Sequence, residues 1–394
     1  MKKVLYLGGT HADIPLISRI KEMGMYVITI GLNESGLGHK YSDEYIKADF
    51  SDNIQVLSIA KERNVDFIVP SCSDFATLTA SYVSNELGLP GYDRYETSKI
   101  IHNKNLFRQF CLTNNINVPK VFKVDNLVHQ ADIFQEYYPL IVKPVDADSG
   151  KGISRVDHFS QLNEAIKLAK AASRSKEIVV EQFISGSKHA ASIIIENKEI
   201  EFIFIDDEQY YLNKYMVAAA SHPSKYYSEF NVVITSEIKK LIKLLNLVDG
   251  LLHVQFIFKD GLVYLIEACR RPPGEFYVKL VEYAKGQYYI NNIIKGYLGC
   301  VEPYLPSQNS TNHSFIRQCV MTNQNGIVQD VKIANDLSEN IIETIYWNGI
   351  GSKINNYLSE KLGVVFLQFK SEEAMHDAIE HMSKLITVTM ENPK

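Results

Sequence analysis

The sequence predicts an α/β unit with a parallel sheet, followed by an α+β region with antiparallel sheets, and three observations carry that prediction. Up to about residue 90, short apolar runs alternate with helical stretches, the pattern of parallel strands joined by right-handed crossovers. From about residue 118, strand-like runs crowd around few helices, and Glu196-Asn197-Lys198-Glu199 has hairpin spacing. From Phe315 the chain returns to strands before one last helix.

Each element has its own signal. Val4 to Leu7 is an apolar run closed by Gly8-Gly9, as a strand buried on both faces would be. Ile14, Ile17, Ile20 and Met23 recur at helical spacing, and Gly24 can stop that helix. Strands are expected over Tyr26 to Ile30 and Tyr45 to Ala48, a helix over about Ile54 to Arg63, and a strand over Asp66 to Pro70. Leu89-Pro90-Gly91 breaks the unit. A helical pattern over Thr97 to Asn114 carries Lys104 on its polar side. The runs Leu140 to Lys143, Ile178 to Glu181, Ala190 to Ile195 and Ile200 to Ile205 are strand-like and surround a helix over Gln161 to Ala172. A helix over about Ser236 to Leu245 precedes strands over Gly250 to Phe258 and Leu262 to Ala268, turned by Lys259-Asp260-Gly261. Strands are then expected over Phe315 to Met321, Gly326 to Ile333, Ile341 to Trp347 and Val364 to Lys370, and a helix over Glu372 to Leu385.

Composition narrows the class of function. The 394 residues exceed one ordinary core, so two or three domains are expected. Hydrophobic content of 46% with 22% charged residues is that of a globular protein in water. A net charge of −5 without a basic stripe argues against nucleic acid as a partner. The five cysteines are widely spaced and form no Cys-x-x-Cys, which points to a reducing, cytoplasmic setting without disulfides or zinc. No stretch approaches the roughly 20 apolar residues of a membrane span, so no membrane partner is expected.

The chemistry-bearing residues are spread through the middle of the chain. Lys143 ends an apolar strand and is followed by Pro144, so it can stand in a cleft as a fixed point charge. Alone, such a lysine is more often a solubility device on an edge strand. Asp148-Ser149-Gly150-Lys151-Gly152 is small and polar enough for its backbone N–H groups to close over phosphates, although many surface turns look the same. Glu181-Gln182-Phe183-Ile184 leaves a strand, and Glu267-Ala268-Cys269-Arg270-Arg271 ends another. Two adjacent arginines beside a carboxylate can neutralise a transferring charge and grip a substrate carboxylate, but on an extended backbone they point to opposite faces. Separate lysines, a flexible loop, a strand-end glutamate and a late Glu-x-x-Arg-Arg suit a nucleotide held between two sheets.

In this order and spacing the motifs resemble the ATP-grasp superfamily, most closely the branch of carboxylate–amine ligases and carbamoyl-phosphate-synthetase large subunits. The resemblance covers nearly the whole chain. It implies an ATP-grasp fold with an N-terminal parallel α/β domain over residues 1–94, a core clasping ATP over 95–299, and a β-rich C-terminal segment over 300–394. It implies ATP and Mg²⁺ as cofactors. Phosphates would meet Lys104, Lys143, Ser149, Gly150 and Gly152, and Lys143, Lys151 and Arg271 would stabilise the transferring charge. The adenine hinge would be Glu181 by its side chain, Gln182 and Ile184 by their backbone, and Phe183 by packing. Lys188 stands nearest the place of a ribose contact. Glu267 fits the main metal ligand, with Gln255 where the family has a second carboxylate and Cys269 where it has an asparagine; Glu275 could help from the next turn. Arg271 takes the family arginine's place, with Arg270 as either substrate contact or salt bridge.

The implied reaction is ATP-dependent: a small-molecule carboxylate becomes an acyl phosphate, and an amine then displaces phosphate. A bicarbonate-dependent carboxylase of the same fold, or a non-catalytic nucleotide-binding regulator, remains open on the sequence alone. The tyrosine-rich span from Asp206-Asp207-Glu208-Gln209-Tyr210-Tyr211 to Tyr227, with His222, is where substrate determinants are expected; its tyrosines suit a polar substrate and equally suit a core or a homodimer interface. Thr10, His11, Ser73 and Asp74 follow the first and fourth strands, on the rim where such sheets bind ligands.

Overall fold

The computed structural model describes residues 1–123, 136–146, 150–286, 288–299 and 313–391. Four strands open the chain: β1 (Lys3–Leu7), β2 (Tyr26–Gly31), β3 (Glu44–Lys47) and β4 (Phe67–Pro70). All are parallel, in the order β3-β2-β1-β4. Val4 to Leu7 are fully buried, as a strand covered by helices on both faces must be. The loop after β1 is tied down by buried Asp13, whose carboxylate accepts from the amides of Gly9 (3.1 Å) and Thr10 (2.8 Å), from the Tyr6 hydroxyl (3.1 Å) and from the Cys72 amide (3.3 Å). One acid therefore joins the ends of β1 and β4 and fixes the rim they form.

Helix Asp74–Leu87, absent from the sequence reading, covers this sheet; its Ala, Ser and Thr face carries little hydrophobic signal. Helix Asn53–Arg63 starts where expected, capped by the Asp52 carboxylate. The single helix expected over Thr97 to Asn114 is two, Tyr95–His102 and Lys104–Thr113, broken at Asn103, whose side chain accepts from the amides of Asn105 and Leu106 as the second helix's N-cap. That break places Lys104 in the first turn of its helix, at the mouth of the cleft described below.

A small antiparallel sheet follows, built of β5 (Val121–Phe122), β6 (Leu140–Pro144), β7 (Ser154–Val156) and β8 (Ile178–Gln182) in the order β5-β8-β6-β7. Leu140, Val142, Val156 and Val180 pack under helix Leu162–Ala172. Alternation turns Ile141, Lys143 and Glu181 to the other face.

The large sheet takes β9 (Ser187–Glu196), β10 (Glu199–Tyr210), β11 (Val217–His222), β12 (Gly250–Lys259) and β13 (Leu262–Cys269). It then crosses residue 300: β14 (Ser314–Val320) pairs with β11, β18 (Gly363–Phe369) with β14, and β16 (Ile341–Tyr346) with β18. The order is β13-β12-β9-β10-β11-β14-β18-β16, antiparallel throughout. β15 (Gly326–Ile333), β17 (Lys353–Ile354) and β19 (Ile386–Glu391) form a three-stranded sheet of their own. β11 was missed because Val217-Ala-Ala-Ala-Ser-His has low strand propensity; it is held by partners on both sides.

One face of the large sheet buries Ile193, Leu252, Val254 and Phe256 under helix Tyr227–Leu245, which starts nine residues before its expected position. The other face receives helices Tyr277–Lys285 and Tyr289–Leu298, neither expected, together with the N-terminal sheet. Gly91 has φ +89°, and a Cβ there would lie 2.2 Å from the Tyr297 carbonyl oxygen. Gly91→Ala is therefore expected to cost about 2–4 kcal/mol, read as a lower urea midpoint; an unchanged midpoint would show that this joint yields freely.

Candidate functional site

Two sheet faces meet across a cleft, and a buried ion network bridges them. Glu181, on the inward face of β8, is 3% exposed and takes two cations: Arg108 Nε donates to its Oε2 at 3.0 Å, and Lys143 Nζ pairs with its Oε1. Arg108, from the middle of helix Lys104–Thr113, also donates to the Ile266 carbonyl on β13 at 2.6 Å, so one guanidinium spans both sheets. At the first position of that helix, Lys104 Nζ stands 3.7 Å from Glu267 Oε1. Burial is the main cause that lowers the Lys143 pKa to about 8; Glu181 opposes the drop, and Arg108 and Lys104 add to it. The same two cations, Arg108 and Lys143, hold the Glu181 carboxyl below the usual range although burial works against them.

The large sheet presents acids and amides. Glu267 pairs in register with Gln255, and Gln255 with Ala190 on β9. Gln255 Nε2 donates to Glu208 Oε1 at 2.5 Å, and the Tyr210 hydroxyl donates to Glu208 Oε2 at 2.6 Å. Lys188 lies 3.6 Å from the centroid of the Tyr210 ring and donates to the Lys214 carbonyl at 3.0 Å. Glu267 and Gln255 are hard oxygen donors, the kind Mg²⁺ takes. Among the described residues no three His, Cys, Asp or Glu side chains converge, so a metal here would need oxygens from a bound ligand and water as well.

The two arginines part company. Arg271 Nε donates to Asp74 Oδ1 at 2.7 Å, and His102 Nδ1 lies 3.0 Å from the same oxygen. Burial raises the Asp74 pKa, but Arg271 and His102 outweigh it and hold the carboxyl well below its ordinary value. Arg270 points the other way: it pairs with Asp93 at 2.9 Å and donates to the Val248 carbonyl at 2.7 Å. Of the two roles left open for Arg270, the geometry gives the salt bridge, because adjacent residues on an extended chain project to opposite sides. Cys269, offered in the metal's neighbourhood, is buried and donates to the Arg271 carbonyl at 3.5 Å. Glu275 pairs with Lys361 Nζ at 3.3 Å and Arg317 Nη1 at 3.9 Å.

Asp148 and Ser149 lie outside the described residues. Gly150, at φ +74°, rests against Tyr215, whose backbone lies 2.9 Å from where a Cβ would be. Lys151 is exposed, and Gly152 sits against helix Leu162–Ala172. The Gln182 amide donates to the Lys120 carbonyl (2.8 Å) and the Phe183 amide to Pro139 (3.0 Å), while the Phe183 ring lies 4.4 Å from the Arg155 guanidinium. At the far rim His11 stacks on Trp347 at 3.9 Å, and burial lowers its pKa to about 4. His222 Nδ1 lies 2.7 Å from the Ile205 carbonyl, and its ring stacks on Phe204 at 4.2 Å.

Sequence reasoning missed Arg108, Arg317 and Lys361, and placed Glu208 only within a span of substrate determinants. Strand alternation through Phe204, Asp206, Glu208 and Tyr210 was a usable signal for Glu208, whereas nothing local marks Arg317 or Lys361.

Two sheets face each other across a charged cleft, with an N-terminal parallel sheet at its rim, and that arrangement sets the class of fold. Comparison with known proteins gives the domain. Residues 101–275 match the family model of the ATP-grasp domain. Formate-dependent phosphoribosylglycinamide formyltransferase of Prochlorococcus marinus is 27% identical over 289 residues, which are 71% of this chain and 72% of that protein. L-amino acid ligase of Bacillus licheniformis superposes with a TM-score of 0.80 at 19% identity, covering 100% of this chain and 99% of that one. The biotin carboxylase domain of Hydrogenobacter thermophilus 2-oxoglutarate carboxylase, solved with MgADP and bicarbonate, gives 0.78 at 16% identity over 99% and 91% of the two chains. Residues 101–275 thus carry an ATP-grasp domain, and the solved structures share the fold of the chain. No helix among the described residues is long and apolar enough to cross a membrane.

Proposed function

We propose that the protein is an ATP-dependent ligase that activates a small-molecule carboxylate as an acyl phosphate and joins it to an amine, releasing ADP and phosphate. One observation carries this reading: Lys104, Lys143, Glu181 and Glu267, from four separate elements, converge on one cleft between two sheets through the ion pairs of Glu181 and Glu267. The relatives named for a formyl transfer dependent on formate and for ligation of amino acids support an acid-plus-amine reaction.

In this reading Lys104 and Lys143 meet the phosphates, and Gly150, Lys151 and Gly152, with Ser149, close over them. Gln182 and Ile184 offer backbone groups to the adenine, with Phe183 as packing and Lys188 near the ribose. Glu181 holds Arg108 and Lys143 in place, and the adenine amino group would share its carboxylate. Mg²⁺, when bound at Glu267 and Gln255, supplies charge neutralisation to the phosphate oxygens. The substrate carboxylate oxygen attacks the γ-phosphorus while the bond to the β-phosphate oxygen breaks. The amine nitrogen then attacks the acyl carbon, phosphate leaves, and the amine proton passes to solvent. Arg271 would turn from Asp74 toward the charge of the transferring group. Arg270 holds the structure.

The direct test is incubation with ATP and Mg²⁺ across a panel of carboxylates and amines, with ADP, AMP and phosphate measured. ADP and phosphate that appear only with one acid–amine pair support the ligase; AMP with pyrophosphate overturns it. Lys143→Ala should raise the Kd for ATP by about tenfold to a hundredfold, and far more than the Kd for adenosine; equal effects would make Lys143 structural. Lys143 has a lowered pKa, so its charge is present below pH 8 and lost above it. ATP affinity should therefore fall as pH rises through about 8, while Lys143→Arg holds it to higher pH.

A further inference from the structure

Gln255 departs from a two-carboxylate metal site, and the structure shows what faces it. In the large sheet β9 lies between β12 and β10. On β9 the residue beside Gln255 is Ala190, buried and with only a methyl group, so long side chains from β12 and β10 can meet above it. They do: Gln255 Nε2 donates to Glu208 Oε1 at 2.5 Å. Among the described residues Glu208 has no ion-pair partner; its second oxygen accepts from the Tyr210 hydroxyl at 2.6 Å. Nearby Lys188 is spent on the Tyr210 ring and the Lys214 carbonyl.

We propose that Glu208 supplies the second carboxylate of the metal site, delivered across β9 by Gln255 in place of an acid on β12. The inference rests on the ATP-dependent reading above. Two of the carboxylate's roughly four lone-pair sites are used by neutral donors, which leaves acceptor capacity for a cation. The amide nitrogen of Gln255 is committed to Glu208, so its carbonyl oxygen is the end left to face Glu267, its register partner. Glu267, Gln255 and Glu208 then make a set of hard oxygen donors with two negative charges, the number Mg²⁺ commonly takes from protein when phosphates and water complete its shell. Glu208 is thus a chain-specific compensation: the charge absent from position 255 returns from a strand two places away.

The test uses Mn²⁺ in place of Mg²⁺ with ADP, and free Mn²⁺ is read by its paramagnetic resonance signal. Glu208→Gln should weaken Mn²⁺ binding by about tenfold to a hundredfold, while ADP affinity in EDTA stays unchanged. Adding Gln255→Glu to that variant should restore most of the loss, because it returns the acid to β12. If Glu208→Gln is poorly folded, Gln255→Met, which removes the positioning amide at similar volume, should weaken Mn²⁺ in the same way. Wild-type Mn²⁺ affinity in Glu208→Gln, alongside loss in Glu267→Gln, would overturn the role of Glu208 and leave the ATP-dependent reading standing. Failure of the wild type to bind Mn²⁺ with ADP would overturn both.

Discussion

Glu267→Gln is expected to remove ATP turnover, by about a thousandfold or more, with the fold intact. The substitution keeps the shape of the side chain and removes one charge. Glu267 is partly exposed near the end of β13, and its ion-pair partner Lys104 stands 3.7 Å away, so little folding energy depends on the pair. In the proposed site it is the main carboxylate for Mg²⁺, and the γ-phosphate would lose both its neutralisation and its alignment. Release of ADP measures the first effect and the urea midpoint the second. Unchanged turnover would sink the assignment of Glu267.

Glu181→Ala should act on stability first. Glu181 is the shared anion of Arg108 and Lys143, which are 1% and 5% exposed. Among the described residues Arg108 Nη1 has no hydrogen-bond partner. Without the carboxylate two cations remain buried against each other, at a cost of about 3–5 kcal/mol. ATP binding should weaken in parallel, since Lys143 loses the group that aims it. Glu181→Ala with Arg108→Met should recover part of the stability, because one of the stranded charges goes with it. A loss below about 1 kcal/mol in the single variant would show that water reaches these ions.

Much of the cleft was legible in the sequence. Apolar runs closed by Lys143-Pro144 and by Glu181 gave strands with a charge at the end, because local pattern decides strand and facing alike. The Asn197-Lys198 turn, with both residues at positive φ, closes the expected hairpin between β9 and β10. The final helix, Glu372–Leu385, has the expected bounds, set by a Ser371 cap. The α/β start, the antiparallel sheets beyond it and the ATP-grasp domain all hold.

Other features had no local signature. Helices Tyr277–Lys285 and Tyr289–Leu298 are rich in tyrosine and interrupted by Gly286, and they form because the large sheet and the N-terminal sheet bury them. Arg108 looks like any polar residue of a helix, yet it is nearly inaccessible and bridges two sheets. Arg270 and Arg271 are neighbours of the same chemistry, and only their partners Asp93 and Asp74 separate them.

By itself the sequence determined the periodicities, hence the elements and fold class, and the order of the charged motifs along the chain. The tertiary structure alone decided which charges meet: Lys143 and Arg108 on Glu181, Arg271 on Asp74, Gln255 on Glu208. The physical reason is that a strand or helix is selected by interactions among residues close in sequence. Ion pairs and their pKa shifts depend on burial and on distances of a few ångströms, which are set only when distant elements pack.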